Sequence, residues 1–379
     1  MSRSDRQYSV PPLVEIYFYL TEGCNLRCRH CWIMTEQETP SQSKALLDME
    51  LFESIMAQAR PLGLASAKLT GGEPFLHPQV SRMLEIIRDS QVKLVVETNG
   101  VLLTPTLATQ VASCHQPCVS VSLDGADADT HEWVRQVPGS YRAALQGIKY
   151  LVDEGIRPQI IFTIMSRNQD QVGSIIKLAR ELGASSVKFN ILQPSPRGDR
   201  MQQDGETLAL TEVLELCGWV EQELAPRVDI PLLLGHPPAF SPLKRIIGGN
   251  GVRSNCGILG VIGVLANGSY ALCGIGSHIP ELVFGHASRD SLAEVWQYHP
   301  VLKEIREGMP EQLGGICHDC LLNRICLGFC LAQNYYHTQN LWTPYWFCQQ
   351  AEAAGLFPDS RRRPGTEGGS GQVREKTLS

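Results

Sequence analysis

The sequence predicts an α/β protein: an open partial (β/α)6 TIM-like barrel followed by a small cysteine-rich domain with a short β-hairpin and helices. Three observations carry this. Short apolar runs alternate with amphipathic stretches between residues 14 and 193, the pattern of parallel strands joined by right-handed crossover helices. Six such units are too few to close an eight-fold barrel. Beyond residue 251 the periodicity fades while cysteines crowd together, as when metal organises a small loop-rich unit.

The elements follow in order. Residues 14–20 read as the first strand, and Asp48 as the cap of a helix reaching about residue 60. Strand 65–70 with helix 78–89, and strand 92–97 with helix 104–112, make the next two units. Strand 118–123 precedes a long helix expected to start at a Ser140 cap and stop at Gly155. Strand 158–165, helix 170–182 and strand 187–192 complete the series. These strands are apolar enough to be buried on both faces. Five prolines between Pro226 and Pro242 mark a connector. The Gly-, Arg- and Ser-rich end has the composition of a disordered tail. The expected division is an N-terminal extension at 1–12, the barrel at 13–200, a connector at 201–250, the cysteine-rich domain at 251–355 and the tail at 356–379.

Composition narrows the function. The 379 residues are 43% hydrophobic and 19% charged, with a net charge of −6, the profile of an ordinary soluble chain. No apolar stretch approaches the roughly 18 residues of a membrane span, and the start lacks the apolar core of a secretory signal. The one basic block is the short run 361–363. Neither a membrane nor a nucleic acid is expected as a partner, and the expected location is cytoplasmic. Thirteen cysteines are present, three between Cys24 and Cys31 and seven between Cys256 and Cys348. An odd number of clustered thiols, in a compartment where disulfides are rare, points to metal.

In parallel α/β sheets, sites form beyond the carboxyl ends of the strands. Cys24 follows strand one, Gly71 to Pro74 strand two, Thr98 to Gly100 strand three and Asp124 strand four. Cys24, Cys28 and Cys31 have Cx3Cx2C spacing. Three thiolates can hold three corners of a four-iron cluster and leave one iron open for chemistry. A zinc knuckle completed by His30 is the structural alternative.

These residues resemble the signature of the radical S-adenosylmethionine (SAM) superfamily. The resemblance implies that the open iron chelates the amino and carboxylate groups of SAM. An electron then breaks the sulfonium's carbon–sulfur bond, giving methionine and a 5′-deoxyadenosyl radical that abstracts hydrogen from a substrate. It implies that His30 contacts the adenine. Gly71-Gly72-Glu73-Pro74 matches the family's GGEP motif; the glycines let the backbone approach a ligand closely, and Glu73 accepts a hydrogen bond from the SAM ammonium. Alternation puts Ser122 and Asp124 on one face, where the family holds the ribose hydroxyls. Arg135 is implied against the SAM carboxylate and Leu192 against the adenine. Glu97, Thr98 and Asn99 lie nearby by topology, with no assigned role.

The later cysteines read Cys256-x16-Cys273, Cys317-x2-Cys320-x5-Cys326-x3-Cys330, then Cys348, and Gly268 with Cys273 gives Gx4C. This resembles the SPASM module. The resemblance implies three [4Fe-4S] clusters in all. Cys317, Cys320, Cys326 and Cys348 hold one auxiliary cluster, and Cys256, Cys273 and Cys330 the other. The fourth corner of the latter stays unassigned, because Ile262 stands where several relatives carry a cysteine. Structural zinc is the alternative, since spacing alone does not choose the metal. Trp342, Tyr345, Trp346 and Phe347 are expected to pack over the cluster of Cys348.

By the same resemblance, the expected function is maturation of a ribosomally synthesised precursor peptide (a RiPP) by crosslinking, oxidative decarboxylation or excision of a backbone fragment. The implied partners are the precursor peptide and an external electron donor of the flavodoxin or ferredoxin type. With the first strand starting near Val14, a separate leader-recognition protein is also expected. Two alternatives stand beside this. One is a sulfatase-maturase-type side-chain dehydrogenase, disfavoured because Gly274 stands where such enzymes carry an acid. The other is a zinc-stabilised scaffold.

Overall fold

The computed structural model describes residues 10–33, 44–192, 194–247, 257–274 and 279–364. Six strand–helix units form where the apolar rhythm places them. β1 (Glu15–Tyr19) leads through the first cysteine loop to α1 (Met49–Ala59), and the Asp48 side chain accepts from the Glu50 and Leu51 amides, satisfying two of the helix's free donors. β2 (Ser66–Thr70) is followed by α2 (Val80–Ser90), and β3 (Lys93–Thr98) by α3 (Pro105–Ala112), which Thr104 caps.

β4 (Cys118–Ser122) is followed by two helices: α4 (Ala128–Arg135), capped by Asp127, and α5 (Ser140–Asp153). The cap of α5 is Gly139, at φ 83°; Ser140, expected there, is the first helical residue. Its left-handed backbone is one that glycine adopts without strain. β5 (Gln159–Ile164), α6 (Val172–Glu181) and β6 (Ser186–Ile191) complete the six units.

The sheet continues past these units on both sides. Among the described residues, ten strands run in the order β10-β9-β8-β1-β2-β3-β4-β5-β6-β7. β7 (Leu232–Leu234) extends the barrel parallel to β6. β8 (Val261–Val264) lies parallel to β1 on the opposite edge, and β9 (Ser269–Ala271) and β10 (Val283–His286) follow it antiparallel. An open barrel exposes the unpaired backbone of its edge strands, and short buried apolar strands cover them here. The span 201–250, expected as a connector, therefore contributes to the barrel. Between β6 and β8 lie α7 (Pro196–Gln203), α8 (Leu210–Trp219) and α9 (Leu243–Ile247) besides β7.

The C-terminal helices are α10 (Leu292–Tyr298), α11 (Pro300–Gly308), α12 (Gly315–Asp319), α13 (Asn323–Cys326), α14 (Leu331–Thr338) and α15 (Trp346–Ala353). Trp296 of α10 is buried and donates its indole N–H to the Pro11 carbonyl at 2.9 Å. The expected disordered tail is corrected for its first part. Phe357 is buried, Arg361 donates to the Ser241 carbonyl at 3.1 Å, and Arg362 forms a bridge with Cys320. The remainder, from residue 365, lies outside the described residues, as do residues 1–9 of the expected extension.

The strands divide their faces by period two. Ile16, Phe18 and Leu20 of the first strand segment are buried, with Phe18 against Phe52 of α1 at 4.7 Å between ring centroids. The alternate positions carry polar groups. Lys68 Nζ lies 2.7 Å from Glu97 Oε1 and 4.4 Å from the centroid of the Tyr17 ring. Burial would push the Glu97 carboxyl up, but Lys68 and Lys188 hold it below the usual carboxylate range. Among the described residues no helix is long and apolar enough to cross a membrane.

Candidate active site

The loop carrying Cys24, Cys28 and Cys31 is built from three directions. From β2, Gly72 N donates to Thr21 O at 2.7 Å and Glu73 N to Gly23 O at 2.9 Å. From α4, the carbonyls of Arg135 and Val134 accept from the amides of Arg27 (3.1 Å) and Arg29 (2.9 Å). These are end-of-helix carbonyls with no partner inside the helix. From α7, Arg197 Nη1 donates to Cys28 O at 2.8 Å. Arg29 also pairs with Glu206 and lies 4.3 Å over the Trp133 ring.

The two glycines of the GGEP motif act on this loop. A Cβ on Gly72 would stand 2.0 Å from Gly23 O, and one on Gly71, at φ +128°, 2.8 Å from Thr21 O. The close approach expected toward a ligand is here an approach to the backbone before Cys24. Gly72→Ala is therefore expected to displace the loop and lower SAM cleavage about 100-fold, the scale of a 1 Å misplacement. Release of 5′-deoxyadenosine together with iron content checks this; near-normal values for both would contradict it.

Glu73 is buried and already engaged. Its Oε1 accepts from Thr98 Oγ1 at 2.7 Å and Phe75 N at 3.3 Å, and its Oε2 from Asn99 N at 2.9 Å. All three donors are neutral, and burial pushes its carboxyl up to about 7. A cationic ligand would relieve that cost. Asn99 links β3 to the cysteine loop, donating to Asn25 Oδ1 at 2.8 Å with Cys24 Sγ at 3.9 Å.

Asp124 and Arg135 depart most from expectation. Asp124 is 0% exposed, so its carboxylate does not face an open ribose site. Its Oδ1 accepts from Thr163 N at 2.8 Å, and its Oδ2 lies 2.5 Å from Arg135 Nη2. Burial would raise this carboxyl, but Arg135, then His30, hold it below the usual range. Arg135, expected against a SAM carboxylate, spends one arm on Asp124 and directs Nη1 to Cys28 Sγ at 3.3 Å. His30 Nε2 stands 3.5 Å from Asp124 Oδ2, and burial pulls the imidazole down to about 4. His30 is thus neutral at pH 7. Ser122 is half-buried at the end of β4, and Leu192 is buried with Val134, Met165 and Met201.

The second cysteine region brings four of its thiols together. Cys317, Cys320, Cys326 and Cys348 line one small cavity, with Ile316, Leu322 and Phe357. Backbone N–H groups of Tyr345 and Leu322 point at Cys317 Sγ and Cys320 Sγ, each at 3.4 Å. Burial pushes the Cys317 thiol up to about 12. Trp346 and Phe347 stack edge to face at 5.6 Å, and Phe347 packs on Phe240 at 5.1 Å. Cys330 and Cys273 do not line that cavity. Cys256 lies outside the described residues.

Residues 18–192 match the radical SAM superfamily, and residues 256–321 match the SPASM iron–sulfur cluster-binding domain. Residues 18–192 thus form a radical SAM domain, followed by a SPASM domain. It is similar to the AdoMet-dependent heme synthase of Methanosarcina barkeri, at 28% identity over 85% of this chain and 92% of that one. It is also similar to the mycofactocin maturase MftC of Mycolicibacterium smegmatis, at 27% identity over 92% of this chain and 86% of that one. Among solved structures, Streptococcus suis SuiB bound to S-adenosylmethionine shares the fold, with a TM-score of 0.70 at 17% identity over 90% of this chain and 78% of that one. This is a radical SAM enzyme that uses iron–sulfur chemistry and SAM.

The residues present fit those groups. Buried polar atoms without partners, His30 Nδ1 and Arg135 Nε, stand beside the cysteine loop, and Glu73 is a buried carboxylate bound only by neutral donors. The four thiols around one cavity, each buried or half-buried, suit a cluster better than free cysteines, which burial leaves protonated.

Two neighbours of the site escaped the sequence reading. Tyr19 ends β1 beside the Gx4C segment, and a Cβ on Gly274 would fall 2.2 Å from its ring. No side chain fits at Gly274 while Tyr19 stays in place, so an acidic group there is sterically barred. Lys188 is the second, a lysine on β6 whose charge acts on Glu97 of β3. A lysine flanked by Val187 and Phe189 within the strand was the available signal.

Proposed function

We propose that this radical SAM enzyme matures a ribosomally synthesised precursor peptide. The observation that carries the chemistry is the single loop of three cysteines, gripped by β2, α4 and α7 and facing the buried Glu73 carboxylate. The peptide substrate is supported by the similarity to MftC, a mycofactocin maturase, across 92% of this chain. SuiB, whose fold this chain shares, has also been solved with its precursor peptide SuiA.

In this proposal Cys24, Cys28 and Cys31 hold the SAM-binding cluster. Cys317, Cys320, Cys326 and Cys348 hold one auxiliary cluster, and Cys256, Cys273 and Cys330 hold the other. A cluster held by Cys24, Cys28 and Cys31 would supply the one-electron reduction of SAM on which the radical chemistry depends, with the electron drawn from an external donor, and clusters held by the later cysteines would offer further one-electron redox sites. The chain's own residues prepare the site. Arg135 puts positive charge against Cys28 and keeps Asp124 ionised. Asp124, bound to Thr163 N, ties the ends of β4 and β5 together. Glu73 offers a buried acceptor to the SAM ammonium, and neutral His30 offers a flat imidazole to the adenine. Gly71 and Gly72 keep the loop seated. An external electron donor of the flavodoxin or ferredoxin type and a separate leader-recognition protein complete the proposed system, in the cytoplasm.

A second reading has a specific observation behind it: the similarity to AdoMet-dependent heme synthases. The sulfatase-maturase reading loses ground, because Tyr19 fills the space an acid at Gly274 would need. One experiment decides among these. The protein is reconstituted anaerobically with iron and sulfide, then given SAM, reductant and either a candidate precursor peptide drawn from short reading frames near its gene or a haem-precursor porphyrin. Iron near about twelve per chain fits three four-iron clusters, and a mass change in the peptide supports maturation. A mass change in the porphyrin alone rejects the peptide substrate, and zinc without iron rejects the chemistry as a whole.

A further inference from the structure

The inside of the barrel carries a lysine that the mechanism does not use. On β6 the flanking Val187 and Phe189 are 0% exposed, and Phe189 packs on Phe162 of β5 at 5.8 Å between ring centroids. Period two turns Lys188 the other way, into the barrel. Its partners across the two ladders are Ile161 on β5 and Leu233 on β7, both apolar. Lys188 is half-buried, and so are Tyr17, Lys68 and Glu97 on the inward faces of β1, β2 and β3. Side chains in the middle of a sheet keep such exposure only where water enters the barrel.

The inward charges do not cancel. Among the described residues of β1 to β7, the inward positions hold Lys68, Lys93 and Lys188 against Glu15 and Glu97, three ammonium groups to two carboxylates. Glu97 is already held, with Lys68 Nζ 2.7 Å away. Glu15 accepts from Ser66 Oγ at 2.8 Å, at the start of β1. Lys188 feels Glu97 only as a charge across the lumen, and among the described residues its ammonium has no ion pair or hydrogen bond. Lost hydration pulls that ammonium below the usual lysine range; Glu97 opposes the fall and Lys68 adds to it. The lumen adjoins both metal-bearing segments. Glu97 immediately precedes Thr98 and Asn99, which donate to Glu73 at 2.7 and 2.9 Å. Tyr19, two positions beyond Tyr17, meets Gly274, where a Cβ would fall 2.2 Å from its ring.

That a ligand reaches into such a barrel belongs to the fold; what it must carry follows from the unmatched ammonium. A carboxylate against Lys188 would replace the lost hydration with a charge-assisted hydrogen bond. A neutral group would leave the desolvation cost in place, and a cation would raise it. We propose that Lys188 anchors a carboxylate of the substrate, so that the peptide segment taken into the barrel is negatively charged. The inference rests on the peptide reading above for the source of that carboxylate, an acidic side chain or a free C-terminus. Lys188 is then a specificity-determining residue. A structural counter-ion to Glu97 would stabilise the empty protein, whereas an anchor waiting for its ligand does not.

The test uses the anaerobically reconstituted full chain with SAM and no reductant, so that binding is read without turnover. The probes are acetyl-Ala-Leu-Glu-Leu-Ala-amide, its Gln counterpart, acetyl-Ala-Leu-Ala with a free carboxylate, and coproporphyrin III, each by isothermal titration calorimetry. Wild type, Lys188→Met and Lys188→Arg are compared, with iron content and thermal melting alongside. The expected result is that wild type binds a carboxylate peptide about tenfold or more tightly than the Gln peptide, the scale of one hydrogen bond to a charged group. Lys188→Met loses that preference without melting below wild type, because Glu97 keeps Lys68, and Lys188→Arg recovers much of it. Peptides bound without a carboxylate preference, or with one that survives in Lys188→Met, overturn the anchor and leave the peptide substrate standing. A lower melting temperature in Lys188→Met with the preference intact makes the lysine structural and also overturns the anchor. Binding of no probe overturns it too. Binding of coproporphyrin III alone, lost in Lys188→Met, supports the anchor and overturns the peptide reading.

Discussion

Cys28→Ala should abolish reductive SAM cleavage in the reconstituted protein, with 5′-deoxyadenosine expected to fall to the level of a reaction without enzyme. Of the three loop cysteines, Cys28 is the buried one. Its sulfur receives Arg135 Nη1 at 3.3 Å, and its carbonyl receives Arg197. Losing this thiolate leaves two cysteines on a loop that has no fourth, so iron content should fall by about four per chain. Cys118→Ala is the control, because Cys118 is exposed at the opposite end of β4. That variant should keep full activity. Cleavage surviving in Cys28→Ala, or lost equally in Cys118→Ala, would remove this loop from the chemistry.

Arg135→Leu should destabilise the protein by about 3–5 kcal/mol, the usual cost of stranding one member of a buried ion pair. The stranded group is Asp124, fully buried, with Thr163 N and His30 as its other neighbours. Adding Asp124→Asn to Arg135→Leu should recover a large part of the loss, because the charge that lacked a partner is then gone. Urea midpoints of the single and double variants measure this. A double variant as unstable as the sum of the singles would show that the two residues act independently. The leucine variant should also bind iron less well, since the guanidinium beside Cys28 goes with it.

What could be read from the sequence was what lies close together along the chain. The cysteine spacing, the GGEP run and the cap at Asp48 are each contained in a few residues; the GGEP run follows β2 and Asp48 caps α1 as expected, whereas Thr104, read as the first helical residue, is the cap of α3. The six strands were legible because each is a short apolar run bounded by turn residues. The α4 helix was not, because eight residues with a polar majority show little periodicity. Period-two alternation aimed Asp124 inward, but nothing local marks Arg135 as its partner or Cys28 as the second target of that guanidinium. The roles of Gly71 and Gly72 were half-legible: a close approach was foreseen, but what approaches is set by where Gly23 lies. β7 and β8 were hidden for a similar reason. A three- or four-residue strand carries no periodic signal, and its identity comes from the edge it covers.

The parallel ladder between β1 and β8 pairs Glu15 with Val261 and Phe18 with Val264. Its consequence concerns spacing. The strand that delivers the polypeptide to Cys24 and the strand that opens the SPASM segment are stitched together along their backbones, leaving no hinge between them. Any current passing between the two metal-bearing halves would cross a gap of fixed width, insensitive to side-chain repacking on the surface. Cutting the chain ahead of residue 257 would strip one flank of β1 and leave it a raw, sticky edge. The two halves are better regarded as one folding unit than as an enzyme with an appended accessory.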